Sequence, residues 1–233
     1  MKPGDPAAVE QLFDAVAPRY DRLNDVLSFG LHRQWKRQMV RALKPVAGER
    51  WLDLCCGTGD LALELGRCVR PGGAVTGLDA AAAPLERARQ RQRQQPWLPV
   101  TFTQGDALQT GLPNACADGA VMAYGLRNLA DPLQGLKELR RLLKPGGRAG
   151  VLDFNRLPQT GVAAAFQRFY LRRLVVPAAA SVGLREEYAY LEKSLERFPP
   201  GPEQERLARE AGFAEAVHRP VMAGQMGALL LKT

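Results

Sequence analysis

The chain has 233 residues, enough for one large α/β domain or two small ones with a real core. Its 46% hydrophobic and 24% charged residues are the composition of an ordinary globular protein, and its longest apolar stretches, such as Leu174 to Val182, fall far short of the about 20 residues that span a bilayer. A net charge of +8 fits nucleic acid, an anionic membrane surface or plain solubility, and decides among none of them.

The chain opens without an apolar h-region, so neither a signal peptide nor a transit peptide is expected over Met1 to Glu10. Residues 1–45 read as a helical cap. Leu31, Trp35, Met39, Ala42 and Leu43 recur at helical spacing, with His32, Arg33, Lys36, Arg37 and Arg41 on the other sides. From Arg50 onward, short apolar runs alternate with polar helical segments. Strands are predicted at Arg50–Leu54, Ala74–Leu78, Val100–Thr103, Gly119–Ala123 and Arg148–Phe154. Helices are predicted at Asp60–Val69, Pro84–Gln94 and Pro132–Leu143. That alternation implies right-handed crossovers and a mostly parallel, doubly wound sheet. The breakers Pro71-Gly72-Gly73 and Lys144-Pro145-Gly146-Gly147 precede the second and fifth strands.

Residues 155–200 exceed any single connection and are rich in aromatics and arginine; they read as a lid or substrate cap inside a domain running from 46 to 233. A helix at Pro202–Ala211, a strand at Phe213–Met222, a turn over residues 223–227 and a strand at Ala228–Thr233 close the chain as an antiparallel hairpin. The cysteines Cys55, Cys56, Cys68 and Cys116 lack metal-ligand spacing and read as reduced, mostly buried thiols; no metal site is expected.

The chemistry concentrates at Trp51-Leu52-Asp53-Leu54-Cys55-Cys56-Gly57-Thr58-Gly59-Asp60. Here an apolar strand ends in a glycine turn and a helix starts at once, leaving unpaired N–H groups beside backbone that a ligand approaches closely. Gly57 to Ala62 also satisfies the nicotinamide fingerprint G-x-G-x-x-A, a weak signal alone, so a nicotinamide-dependent oxidoreductase is the rival from another class. Asp79 follows the second strand, where a carboxylate accepts the ribose hydroxyls of an adenosine. Three features favour S-adenosylmethionine. The closing hairpin resembles the antiparallel seventh strand of class I methyltransferases. Asp106 ends the third strand, where an adenine amino group would lie. Asp53 stands four residues before Gly57, where a methionine amino group calls for an acid. A class I S-adenosylmethionine methyltransferase, a Rossmann-like sheet with an antiparallel C-terminal hairpin, is the resulting expectation. Its cofactor-binding set is Tyr20, Asp53, Gly57, Thr58, Gly59, Asp79, Ala80, Asp106, Ala107, Ala123 and Tyr124. A nucleic-acid methyltransferase is disfavoured, since neither a D-P-P-Y-type nor a Pro-Cys motif is present.

Nearly the whole chain resembles the ubiquinone/menaquinone biosynthesis C-methyltransferase family. The likeness rests on Val16-Ala17-Pro18-Arg19-Tyr20-Asp21 with Asn24-Asp25, on Leu27-Ser28-Phe29-Gly30 and on His32-Arg33-Gln34-Trp35-Lys36. It continues through the glycine turn, Gly125-Leu126-Arg127-Asn128 and Leu143-Lys144-Pro145-Gly146-Gly147. Asp153-Phe154-Asn155, Tyr188-Ala189-Tyr190-Leu191 with Ser194, and Gly224-Gln225-Met226-Gly227 look like its cyanobacterial and plastid branch, which methylates the naphthoquinol ring of demethylphylloquinone. Two positions depart from the pattern. Cys55 stands where many methyltransferases have glycine, and Ala80-Ala81-Ala82-Ala83 replaces a serine-containing helix entry.

The resemblance implies C-methylation of a prenylated (phytylated) naphthoquinol, with a polyprenyl benzoquinol as the alternative and a cofactor-binding inactive scaffold as a further one. A quinone ring is electrophilic, so the substrate must be the reduced quinol, best with one hydroxyl ionised against an ordinary phenol pKa of about 10. Arg127 is expected to stabilise that naphtholate electrostatically, since arginine does not readily act as a base. Tyr20, on a family-like N-terminal flap, is the second catalytic candidate. His32 is expected on the surface and His218 to be structural. Partner expectations are no nucleic acid, peripheral contact with an anionic membrane and a homodimer. The membrane contact would use the basic face of Leu31–Lys44 and Phe166, Phe169, Tyr170 and Leu174 among Arg168, Arg172 and Arg173. The expected location is cytoplasmic, at the inner face of a membrane.

Overall fold

A computed structural model of the chain describes residues 30–156, 194–222 and 224–233. Tyr20, the flap, and most of the 155–200 insertion with its aromatic–arginine cluster lie outside the described residues.

Helix α1 spans Leu31–Leu43 and buries His32, Trp35, Met39, Val40 and Leu43. The sequence spacing began that stripe one position too early. Leu31 is 37% exposed while His32 is 3% exposed, because the seam running back through Leu43, Met39 and Trp35 at steps of three and four reaches His32. The surface expectation for His32 is therefore corrected. Lys44 stops the helix in a left-handed conformation (φ 51°) just before Pro45.

Next come β1 (Arg50–Leu54), α2 (Asp60–Cys68), β2 (Ala74–Asp79), α3 (Ala82–Arg93), β3 (Val100–Gln104) and β4 (Ala117–Ala123). A single 3₁₀ turn at Leu126–Asn128 leads to α4 (Pro132–Leu142), β5 (Leu143–Phe154), α5 (Gly201–Glu210), β6 (Glu215–Val221) and β7 (Met226–Lys232). Asp131 caps α4, its carboxylate accepting the Gln134 N–H at 3.1 Å, with Pro132 in the first turn where no N–H is needed. Helix α3 begins two residues before Pro84, at Ala82. The Lys144-Pro145-Gly146-Gly147 breaker does not precede β5 but bulges within it: Ala117 pairs with Leu143, and the register resumes only at Gly119 with Arg148.

The seven strands lie in the order β3-β2-β1-β4-β5-β7-β6. The first five are parallel, β7 runs antiparallel to β5, and β6 antiparallel to β7. Apolar side chains fill both faces. Trp35, Met39, Leu61 and Leu65 of α1 and α2 pack with Trp51 and Val121 on one side; Leu136, Leu139 and Ala208 of α4 and α5 pack with Leu54, Met122 and Leu229 on the other. Chain order reverses between β1 and β4, so the carboxyl ends of these two strands splay apart into the crevice where such sheets bind ligands.

The closing hairpin is pinned by one side chain. The Asn155 amide donates to the carbonyls of Gly224 and Met226, each at 2.9 Å, and its oxygen lies 2.9 Å from His218 Nε2. Asn155 is 6% exposed, so truncation strands buried acceptors. Asn155→Ala is expected to cost roughly 2–4 kcal/mol and to lower the melting temperature by about 5–10 °C in a thermal scan.

Candidate active site

A cavity of about 310 Å³ opens at the β1–β4 crevice. Its walls come from four strand ends: Cys55 and Gly57 after β1, Asp79 to Ala81 from β2, Gly105 to Leu108 after β3, and Ala123 to Gly125 with Asn128 to Ala130 after β4. That lies at the lower end of the about 300–1,000 Å³ usual for small-molecule sites.

The turn after β1 is built for close approach. Gly57 and Gly59 both have positive φ (53° and 81°), for different reasons. A β-carbon on Gly57 would stand in open space, whereas one on Gly59 would lie 2.7 Å from Phe102 Cζ, so Gly59 also lets α2 pack down on the sheet. Asp79 ties the turn to β2: one carboxylate oxygen accepts the Gly57 N–H at 2.7 Å and the other the Ala81 N–H at 3.0 Å. From the outside, Arg91 of α3 donates to the Thr58 carbonyl (2.9 Å) and hydroxyl (3.2 Å) and pairs with Asp60 at 2.7 Å. Lys36 of α1 donates to Asp60 at 3.1 Å, and these two cations hold the Asp60 carboxyl well below the usual carboxylate range against the opposing effect of burial.

The opposite wall depends on the Gly125-Leu126-Arg127-Asn128 turn. Tyr124 sits at φ 61°, a left-handed conformation costing a non-glycine residue about 1 kcal/mol or more. Its carbonyl is gripped twice, by Arg127 Nη1 at 3.1 Å and Asn128 Nδ2 at 2.8 Å. A β-carbon on Gly125 would come within 2.7 Å of Cys55 Cβ, so only glycine lets the β4 and β1 exits meet. Leu126 is buried in the core below.

The predicted residues separate into two groups. Gly57, Asp79, Ala80, Asp106, Ala107, Ala123 and Tyr124 line one cavity. Asp53, Thr58, Gly59 and Arg127 do not line it; they brace its walls from behind. Thr58 is 3% exposed and Asp53 1%. Asp53 accepts the Ala62 N–H of α2 at 2.8 Å. Arg127, 8% exposed, donates to Asp153 at 2.8 Å and packs its guanidinium 5.3 Å from the Phe154 ring centroid. Lys36 reads from sequence as part of a basic helix face, and nothing in the local pattern marks it or Arg91 as a support of a turn 24 and 33 residues away.

Electrostatics discriminate between ligand classes. The cavity wall carries two carboxylates, Asp79 and Asp106, and no cation among the described residues. The Gly57 N–H that would face a pyrophosphate is already given to Asp79. Such a wall repels a dinucleotide's phosphates and suits a cationic sulfonium joined to an adenosine. Burial, reinforced by Asp79 and Asp53, pushes the Cys55 and Cys56 thiols well up, so neither is a thiolate nucleophile.

Burial also raises Asp53 to about 8, against the attraction of Lys36. A carboxyl whose folded pKa is raised stabilises the fold when protonated, and that stability is lost as pH climbs from the ordinary carboxylate range to about 8. Asp53→Asn, which keeps an acceptor for Ala62, should therefore melt close to the wild type at pH 5. By pH 9 it should gain on the wild type by on the order of a few kcal/mol, read from paired thermal melts.

The family model for the ubiE/COQ5 methyltransferase family matches residues 1–229. A 2-phytyl-1,4-naphtoquinone methyltransferase of Nostoc punctiforme is 47% identical over 224 residues, covering 96% of this chain and 97% of its own. The chloroplastic 2-phytyl-1,4-beta-naphthoquinone methyltransferase of Arabidopsis thaliana is 41% identical over 222 residues, covering 94% and 85%. Among solved structures, a SAM-dependent methyltransferase from Aquifex aeolicus superposes with a TM-score of 0.67 at 16% identity, covering 94% of this chain and 97% of its own, which places the fold.

Proposed function

Since this chain belongs to the ubiE/COQ5 methyltransferase family, we propose that it methylates the ring carbon of a reduced 2-phytyl-1,4-naphthoquinone, using S-adenosylmethionine, in the synthesis of phylloquinone. It is an S-adenosylmethionine-dependent methyltransferase. The observation that carries the reading is the acid-lined cavity, without a cation among its described lining residues, in a chain that matches naphthoquinone methyltransferases over nearly its whole length.

The bound cofactor supplies an electrophilic methyl on sulfur; the chain's residues orient it and prepare the nucleophile. Asp79 and Asp106 fix the adenosine, and the Gly57 turn and the clamped Tyr124 carbonyl wall the reacting end, so the gain is largely one of proximity. Arg127 stands behind Tyr124, held by Asp153. We assign it a fixed positive charge that favours the ionised naphthol from behind the wall, a positioning and electrostatic part rather than a base. Tyr20 is proposed to close over the cofactor from the N-terminal segment.

A phytylated substrate resides in a bilayer, and the exposed face of α1 presents Arg33, Arg37 and Arg41 with no acid anywhere in the helix. This supports peripheral docking on anionic lipid. No helix among the described residues is long and apolar enough to cross a membrane. The homodimer is checked by the sedimentation of the purified chain.

The test is labelled-methyl transfer to matched reduced substrates presented in anionic and neutral vesicles. Label is expected in the phytyl naphthoquinol ring, with faster turnover on anionic vesicles. Preferential labelling of a polyprenyl benzoquinol overturns the substrate, and vesicle charge without effect overturns the docking.

A further inference from the structure

Asp79 and Asp106 account for the nucleoside end of the cofactor. Its amino-acid end carries a carboxylate as well as an ammonium group, and among the described residues the cavity wall offers that carboxylate no cation. The adenosine contacts lie at the β2 and β3 ends, so the remainder of the molecule runs toward the β1 and β4 ends, between Gly57 and Tyr124. Just beyond these two residues the charge changes sign.

Lys36 occupies that position. Its side chain is only 13% exposed, its ammonium is 3.1 Å from Asp60 Oδ2 at the start of α2, and it lies 5.7 Å from the centroid of the Tyr124 ring. It also faces a second, polar depression of about 250 Å³, shared with His32, Arg33 and Arg37 of α1 and with Arg67 and Arg91. The acids there are engaged: Asp60 binds Lys36 and Arg91, and Glu64 pairs with Arg67 at 3.2 Å. Lys36 therefore links an acidic cavity and a basic depression, lying over the ring of Tyr124 from the first and bound to Asp60 of the second. An ammonium has three donors, and Asp60 takes one.

We propose that Lys36 binds the carboxylate of the cofactor's amino-acid end. The inference rests on the assignment of the cavity to S-adenosylmethionine. Helix α1 thus does more than cover the sheet: Trp35, Met39 and Leu43 anchor it in the core, and Lys36 reaches Asp60 and the Tyr124 ring from it. Such a contact is a charge-assisted hydrogen bond, and a compact ammonium shielded from water makes it stronger than on an open surface.

The experiment compares two ligands that share the thioether nucleoside. S-adenosylhomocysteine has the amino-acid end; 5′-methylthioadenosine lacks it. In calorimetric titrations, Lys36→Met is expected to weaken S-adenosylhomocysteine binding roughly 10- to 100-fold while 5′-methylthioadenosine affinity stays within about twofold. Lys36→Gln, which can still donate to Asp60, serves where the methionine variant fails to fold, and the same selective loss is expected. Equal losses for both ligands would make Lys36 a strut for the turn and overturn the proposal, as would unchanged affinity for S-adenosylhomocysteine. If wild-type protein binds neither ligand, the cavity assignment itself fails, a result distinct from both.

Discussion

Asp79→Asn is expected to lower S-adenosylhomocysteine affinity by about 10²- to 10⁴-fold, measured by calorimetry, with the protein still folded. Asp79 is at once a ligand contact and the brace that shapes the turn. Its two oxygens take the Gly57 and Ala81 N–H groups at 2.7 and 3.0 Å, and the residue lines the cavity in which the ribose is expected. An asparagine has one carbonyl oxygen, so whichever way it turns, one backbone N–H meets an NH₂ group. The lost oxygen gives up one backbone bond and one expected ribose contact; each hydrogen bond to a charged acceptor is worth about 1.5–3 kcal/mol, and losing those two gives the stated range. Gly57, already at φ 53°, is then free to leave the wall. A variant with unchanged affinity would show that the cavity binds its ligand elsewhere.

The second large effect falls on Arg127. Arg127→Ala leaves Asp153, 2% exposed, without its ion partner, and breaking a buried pair costs about 3–5 kcal/mol, here about 10 °C in melting temperature. Burial already pushes the Asp153 carboxyl up in spite of Arg127, so in the variant it escapes part of the cost by taking a proton. A raised acid stabilises the fold only while protonated, so the destabilisation should grow as pH rises from the carboxylate range toward neutrality. Turnover should fall too, for two separable reasons: the Tyr124 carbonyl loses one of its two clamps, and the fixed cation disappears. The double variant Arg127→Met with Asp153→Leu tells them apart. Replacing both buried charges by apolar groups is often neutral or stabilising, so melting should recover while turnover stays low. Recovery of turnover along with stability would remove the charge of Arg127 from the chemistry.

Much of this was legible in one dimension, and what was hidden has a common cause. The sheet could be read because each strand is a short apolar run closed by a turn signal; β1 has the bounds that its pattern predicts, Arg50–Leu54. The acids at the ends of β2 and β3 were legible because their place follows from strand order alone. Position behind a wall was not. Asp53 reads as a ligand contact, and its burial within β1 and its bond to the Ala62 N–H follow only from the packing of α2 on the sheet. Arg127 and Asp153 lie 26 residues apart and meet because β4 and β5 are neighbours, with Ala123 opposite Leu152 in the register. His32 was misplaced by one helical step, because one apolar residue at the start of α1 drew the stripe toward Leu31. Lys36 reads as one charge in a basic face; only the packing of α1 beside α2 brings it to Asp60 and Tyr124.

The most direct test of the whole account is a crystal structure of the chain with S-adenosylhomocysteine. The ribose hydroxyls are expected on Asp79, the adenine amino group at Asp106, and the amino-acid end between Gly57 and Tyr124. A ligand seated away from the β1–β4 crevice, or one held there with both carboxylates turned from it, would contradict the account.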